Sequence, residues 1–339
     1  MTPRRRLLFV LLIVTLVAAG ACSSTDTASR DALRALAVQA TTTTTAAGPS
    51  TTAPTCPDAT ASLRPQGPQG AQQAFGAMPA GSFMATIQQR GRLVVGVDQN
   101  TLLFGYLNPQ DGQIEGFDID MLRQVAKAIF GDDGQNENTR LQFVAISAAQ
   151  RIPYVQNDQV DIVADTMTVN CARDLLVNFS SVYFDAGQRV LVRQGSTIKS
   201  SADLGGKRTC AAAGSTSIDN VLDVSKTHAA APAIPVAVTD WTDCLVALQS
   251  GTVDAISTDD TILAGLAAQD PYTKIVGDKF TQEPYGMAIK LSHPDFVRFV
   301  NGVLERIRGD GTWAAIWNRW LLKAYGGPTP APPAPSYRD

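Results

Sequence analysis

The chain has 339 residues, 45% of them apolar and 17% charged, and a net charge of −3. Residues 1–21 hold three arginines and no acid, so without them the charge falls to −6. That acidic balance argues against nucleic acid or an anionic lipid surface as a partner held by charge. Two histidines and no Cys-x-x-Cys pair argue against a metal site.

The chain opens on MTPRRRLLFVLLIVTLVAAGA. Arg4, Arg5 and Arg6 form a basic start, Leu7 to Val17 an apolar core, and small residues lead up to Cys22. This is the pattern of an export signal over residues 1–21. A membrane anchor is the alternative, but Leu7–Ala21 falls short of the roughly 20 apolar residues that a span needs. A cysteine directly after the small residues resembles the bacterial lipoprotein site. That implies acylation of Cys22 and a lipid anchor on the outer face of the cell membrane, with simple cleavage as the alternative. Residues 22–83 contain TTTTTAAGPSTTAPT and RPQGPQGAQQ and few large apolar residues. Such a segment cannot bury enough surface to offset its ordering entropy, so it reads as a flexible tether with a short helix at Arg30–Gln39. The tail, 327–339, reads as an extended Pro-rich coil.

Between them, apolar runs alternate with helical periodicity. Arg92–Val97 reads as a buried strand and Gly116–Ile129 as a helix stopped by Gly131. Val160–Thr166, Arg189–Arg193, Lys207–Ala213, Ile234–Val238, Val253–Thr258 and Gly286–Lys290 read as further strands. Phe299–Ile307 and Trp313–Tyr325 read as terminal helices. Alternation of this kind predicts mostly parallel sheets covered on both faces. Ligands of such sheets bind beyond the carboxyl ends of strands. The residues there are polar: Asp98-Gln99-Asn100, Thr166–Arg173, Gly214-Ser215-Thr216-Ser217 and Asp259-Asp260.

The stretch GFDIDMLRQVAKAI, Gly116–Ile129, runs Gly-aromatic-acid-apolar-acid-apolar and then shows helix-spaced apolar residues. It resembles the signature of the polar-amino-acid branch of bacterial solute-binding proteins, solute-binding protein family 3. The resemblance implies a two-lobed, periplasmic-binding-protein-like (type II) α/β fold with two hinge crossings, and a monomer. The first lobe would span 84–186 plus 284–326 and the second 187–283. The crossings would lie near Asp185–Gln188 and Gln282–Tyr285, and the lobes would close around a ligand. Besides Cys22 there are Cys56, Cys171, Cys210 and Cys244, an even set that suggests disulfides in an exported chain. Three pairings are open, as are free thiols, and sequence alone does not select among them. With the lobes so assigned, Cys210 and Cys244 both fall in the second, on a strand and at the start of the helix packed on it. That pairing is favoured, and Cys56 with Cys171 is what remains.

The resemblance also implies site residues. DIVADTMTVNCARDLLVNFS, Asp161–Ser180, is similar to the family's strand, Thr-x-Thr turn and following arginine. Thr166 and Thr168 would meet the α-ammonium and α-carboxylate of an amino acid. Arg173 would clamp the carboxylate, a role suited to a planar guanidinium that binds carboxylate bidentately. Ser215 and Thr216 open a helix whose backbone N–H groups favour an anion, and family analogy sets both on the α-carboxylate. Asp259 would take the α-ammonium, with Asp260 as the alternative. For the side chain, Arg151 matches binders of acidic ligands, whereas Asp98 matches binders of glutamine. An unpaired Asp98 about 4 Å from a ligand carboxylate would cost on the order of 4 kcal/mol at an effective dielectric near 20, roughly a thousandfold in affinity. Trp241 would wall the pocket, and Phe104 would be core.

The expected function is that of a lipid-anchored extracytoplasmic receptor. It would bind aspartate or glutamate, with asparagine and glutamine close behind, and deliver its ligand to an ABC importer. Signalling through a membrane partner is the second reading. A dehydratase-like enzyme on the same scaffold is the third, with Asp98 and Asp259 as its acid and base. No nucleophile–base pair marks an enzyme, and no cofactor is expected.

Overall fold

The computed structural model describes residues 56–65, 78–131, 137–227 and 231–339, without the side chains of 137 and 224–227. The export signal, Cys22, the helix read at Arg30–Gln39 and most of the tether lie outside the described residues.

The elements run α1 (Phe83–Arg90), β1 (Leu93–Val97), β2 (Asn100–Thr101), β3 (Gly105–Leu107), β4 (Ile114–Glu115) and α2 (Phe117–Phe130). Then come β5 (Leu141–Ala145), α3 (Arg151–Gln156), β6 (Ile162–Val163), α4 (Cys171–Asp174), β7 (Asn178–Phe179) and β8 (Phe184–Ala186). Next are β9 (Gln188–Arg193), β10 (Arg208–Ala212), α5 (Thr216–Thr227), β11 (Ile234–Val238), α6 (Trp241–Gln249), β12 (Ala255–Asp259), α7 (Asp260–Gln269) and β13 (Thr273–Val276). The chain then forms β14 (Glu283–Tyr285), β15 (Ala288–Ile289), α8 (Pro294–Gly309), α9 (Thr312–Trp320) and α10 (Leu322–Tyr325).

Two five-stranded sheets define two lobes, ordered β5-β1-β6-β15-β7 and β11-β10-β12-β9-β13. They are joined twice, through β8 and β14, which pair antiparallel as Glu283 to Ala186 and Tyr285 to Phe184. This is the expected two-lobed architecture with two hinge crossings. The expectation of mostly parallel sheets needs correction. β1 runs parallel to β5 and β6, and β10 to β11 and β12. β9 and β15 run antiparallel to their neighbours. These are the strands that enter each lobe directly from a crossing, without a helical crossover to reverse the chain.

Helix α2 shows why the opening motif takes its form. Gly116 caps it at φ 139, and a Cβ there would lie 2.1 Å from the carbonyl oxygen of Phe104. Asp118 and Asp120 fall in its first turn, where the dipole favours acids. Phe117, Met121, Val125 and Ile129 are buried against the sheet, α1 and α8. Apolar clusters cover both faces of each sheet. Phe104 is fully buried and packs with Phe117, Phe184 and Tyr285 under the hinge strands.

The favoured disulfide Cys210–Cys244 is present, and so is the remaining pairing, Cys56–Cys171. The second ties residues 56–65 to the first lobe, so the tether reading does not hold for them. The hydroxyl of Ser62 donates to Phe179 O at 2.6 Å, and Asn301 Nδ2 donates to Ser62 Oγ and Leu63 O. The Pro-rich tail is extended as expected, but it is docked. Ser62 N donates to Ser336 O and Arg338 N to Ser62 O, each at 3.0 Å. Tyr337 donates to Glu305, Arg338 pairs with Asp174, and Asp339 pairs with Arg298. A cavity of about 570 Å³ lies beside the hinge, lined by Asp185, Ala186, Thr281, Pro284, Pro333 and Ala334.

Candidate ligand-binding cleft

The first lobe contributes three segments, those that follow β1, β5 and β6. Asp98 follows β1 and folds back on its own chain, taking Asn100 N at 2.7 Å and Thr101 Oγ1 at 2.5 Å. It therefore pins the start of the β2–β3–β4 flap. Burial raises its pKa, against those hydrogen bonds, and Asp240 of the second lobe adds to the rise. Arg151 opens α3 and is buried. Its Nε donates to Ala148 O and its Nη1 to Asp165 O. Asp165 Oδ2 lies 3.9 Å from Arg151 Nε, is buried and has no hydrogen-bond partner. Burial holds the Asp165 carboxyl well above the usual carboxylate range, opposed by the charge of Arg151. No ion pair joins Asp98 to Arg151 among the described residues.

Thr166 sits at φ 41, a strained value for a β-branched residue. Its N–H is fixed by Asp118 Oδ2 at 2.8 Å, and the other oxygen of Asp118 takes the Tyr183 hydroxyl at 2.7 Å. Burial pushes Asp118 up to about 7 even so. The first acid of the opening motif thus holds the Thr-x-Thr turn from beneath.

Arg173 is buried at the start of α4, which Asn170 caps by accepting from Arg173 N. Its Nη1 donates to Thr168 O at 2.7 Å and its Nη2 reaches Gly214 O of the second lobe at 3.4 Å. Those contacts leave most of its five donors available. Burial lowers its pKa to about 9, and Arg151 adds to the fall while Glu283 and Asp259 oppose it. The lobes are in contact here, because a Cβ on Gly214 would lie 2.7 Å from Ala149 Cα.

On the second lobe, Ser215 is occupied locally. Its hydroxyl donates to Ala212 O and takes Ile218 N. Thr216 Oγ1 donates to Glu283 Oε2 at 2.9 Å. Asp259 ends β12 in full burial. One oxygen takes the Tyr285 hydroxyl at 2.6 Å, and the other has no partner. Burial and the neighbouring Glu283 push its pKa up to about 8. Asp260 is committed elsewhere, to Gly187 N, Lys279 and Tyr325. Trp241 is buried in the core cluster of the second lobe with Cys244 and Leu245.

Arg151, Thr166, Thr168, Arg173, Thr216 and Asp259 are thus joined in one electrostatically coupled, largely buried region between the lobes. Four residues that sequence reading did not single out complete it: Asp118, Asp165, Glu283 and Asn220. Asp118 and Asp165 stand inside the quoted motifs, as acids given no role at the site. Glu283 lay inside the segment read only as a hinge. Among the described residues no cluster of His, Cys, Asp and Glu has the make-up of a metal site.

The chain matches the model of the bacterial extracellular solute-binding proteins, family 3, over residues 93–323. It is 38% identical over 239 residues to the "ABC transporter glutamine-binding protein GlnH" of Bacillus subtilis (strain 168), covering 70% of this chain and 84% of that protein. It is 33% identical over 243 residues to the "Glutamate-binding protein GluB" of Corynebacterium glutamicum, covering 69% and 79%. Among solved structures it resembles "An ancestral arginine-binding protein bound to glutamine", with a TM-score of 0.61, 32% identity, and coverage of 68% and 98%.

Proposed function

The chain belongs to the bacterial extracellular solute-binding proteins, family 3, and from that membership we propose that it captures a polar amino acid between its lobes for an ABC importer. One observation carries the reading. A buried guanidinium with spare donors, Arg173, and a buried carboxyl with a free oxygen, Asp259, act on each other in one cleft. Such a pair matches the opposite charges of an α-amino acid. Arg173 takes the α-carboxylate, helped by the backbone N–H groups at the start of α5. Asp259 and Thr168 take the α-ammonium. At the side-chain end Arg151 offers donors and Asp98 offers acceptors, a pairing complementary to a carboxamide as well as to an acid. The relatives named for glutamine and for glutamate support that range.

The finer assignments are proposals of the same kind. Residues 1–21 direct export, Cys22 carries a lipid, and residues 84–186 with 284–326 and 187–283 form the two lobes of a monomer. A thermal-shift screen against the twenty amino acids tests the reading. A ligand that binds only the folded state at 100 times its dissociation constant adds about 2.7 kcal/mol. Aspartate, glutamate, asparagine or glutamine should raise the midpoint of the wild type, and none should raise that of Arg173→Ala. Silence from every amino acid, or an equal response in the variant, counts against it.

A further inference from the structure

We propose that Glu283 is a positioning residue that sets the direction of the Thr168 and Thr216 hydroxyls, so that the closed cleft presents them as a pair of acceptors. The inference rests, for the identity of the ligand, on the amino-acid reading above. Glu283 lies on β14, the second hinge crossing, and is buried. Its Oε2 accepts from Thr168 Oγ1 of the first lobe at 2.7 Å and from Thr216 Oγ1 of the second at 2.9 Å. Its Oε1 accepts from Asn220 Nδ2 at 2.9 Å, and the same amide nitrogen reaches Gln188 Oε1 at 2.8 Å. Gln188 begins β9, where the first crossing enters the second lobe. One carboxylate therefore ties both crossings and both lobes.

The chemistry is decided by proton count. A carboxylate only accepts, and a hydroxyl has one proton to give. Both threonine protons point at Glu283, so no proton remains between the two hydroxyl oxygens, 3.4 Å apart. What each threonine keeps is lone pairs. A group that completes them must donate, as an ammonium does. A ligand carboxylate would meet lone pairs there and is turned toward Arg173. Thr216 then serves the α-carboxylate through its backbone N–H, while its hydroxyl serves the ammonium. The arrangement also depends on closure. Thr168 is held beside the hinge by its backbone bridge to Tyr285, whereas Thr216 rides on α5. When the lobes part, one carboxylate oxygen cannot keep both.

Glu283→Gln in the full chain tests this, because the amide cannot accept from the threonines and from Asn220 at once. Calorimetry would compare L-glutamine with glutaramate, and L-glutamate with glutarate, each pair differing only by the α-ammonium. We expect the preference of the wild type for the amino acid to fall at least tenfold in Glu283→Gln, and Thr216→Val to lose it similarly. Equal weakening of both members of a pair, or unchanged binding, would overturn the proposal. A second readout needs no ligand: the distance between paramagnetic labels at exposed Gln142 and Ser250, one on each lobe. Glu283→Gln should shift the ligand-free distribution toward the open form. An unchanged distribution would sink the bridge even if the wild type binds no amino acid, an outcome that would separately refute the reading of the ligand.

Discussion

Asp259 is the residue whose ionisation the cleft controls most directly. Its carboxyl stands at about 8, against 3.8 in its ordinary state, because it is buried beside Glu283. In the ligand-free protein the folded state thus holds a proton that the unfolded chain has released. Its contribution to stability is present below the unfolded value and fades as pH rises through about 8. An ammonium at its free oxygen reverses this by favouring the charged form. Binding at pH 7 should release up to one proton, and affinity should rise between about pH 6 and 8. Calorimetric titrations in buffers of different ionisation enthalpy measure that release. Asp259→Asn should abolish it, whereas release that persists would assign the proton to another group. Glu283, Asp260, Tyr285 and Arg151 all act on Asp259, so the variant is the needed control. Much of this site was legible at the residue scale, since Arg173, Thr168 and Asp259 stand in motifs of fixed spacing. What was not legible is occupancy. Nothing in G-S-T-S says that the Ser215 hydroxyl is spent on Ala212 O, and nothing in QEPYG says that Glu283 faces two threonines.

The turns that follow β5 and β10 meet across the lobes, and Gly214 is one place where they touch. It lies at φ 75, where a non-glycine residue costs about 1–2 kcal/mol. An added methyl would also stand 2.7 Å from the backbone of Ala149 on the other lobe. Gly214→Ala should lower ligand-free stability by about that strain and weaken ligand binding by tenfold or more, because closure is blocked while the open form is spared. Chemical denaturation and calorimetry separate the two effects. An affinity equal to wild type would mean that the lobes need not approach this closely. Elements formed by continuous apolar runs were plain in the sequence, as Ile234–Val238 and Arg208–Ala212 attest. The flap strands β2, β3 and β4 were not, being two or three residues long and with little apolar period to read. The mixed sheets were hidden for another reason. Strand direction at β9 and β15 is set by the crossings, which no local pattern encodes.

The whole molecule is held by contacts that span nearly its full described length, and they gather on the first lobe. Cys56–Cys171 closes a separation of 115 residues. The tail then pairs with residues 62–64 and reaches α8 through Tyr337 and Asp339. No sequence period links Ser62 to Asn301 or Arg338, so the Pro-rich tail is legible as extended while its docking is not. Its contacts are partly exposed ion pairs and a few hydrogen bonds, worth roughly 0–1 kcal/mol per pair and about 1 kcal/mol per bond. Deleting residues 328–339 should therefore lower stability by about 1–3 kcal/mol, a midpoint shift on the order of 2–4 °C per kcal/mol. Among the described residues these hydrogen bonds and ion pairs all fall on the first lobe or on residues 58–64, and none links the tail to β9–β13. Ligand affinity should then stay within about twofold, since a difference of 1.4 kcal/mol would be needed for a tenfold change. The competing expectation comes from Pro333 and Ala334, which line the cavity beside the hinge strands. If the deletion instead weakens binding tenfold while the midpoint barely moves, the tail braces the hinge, and closure is governed from outside the cleft.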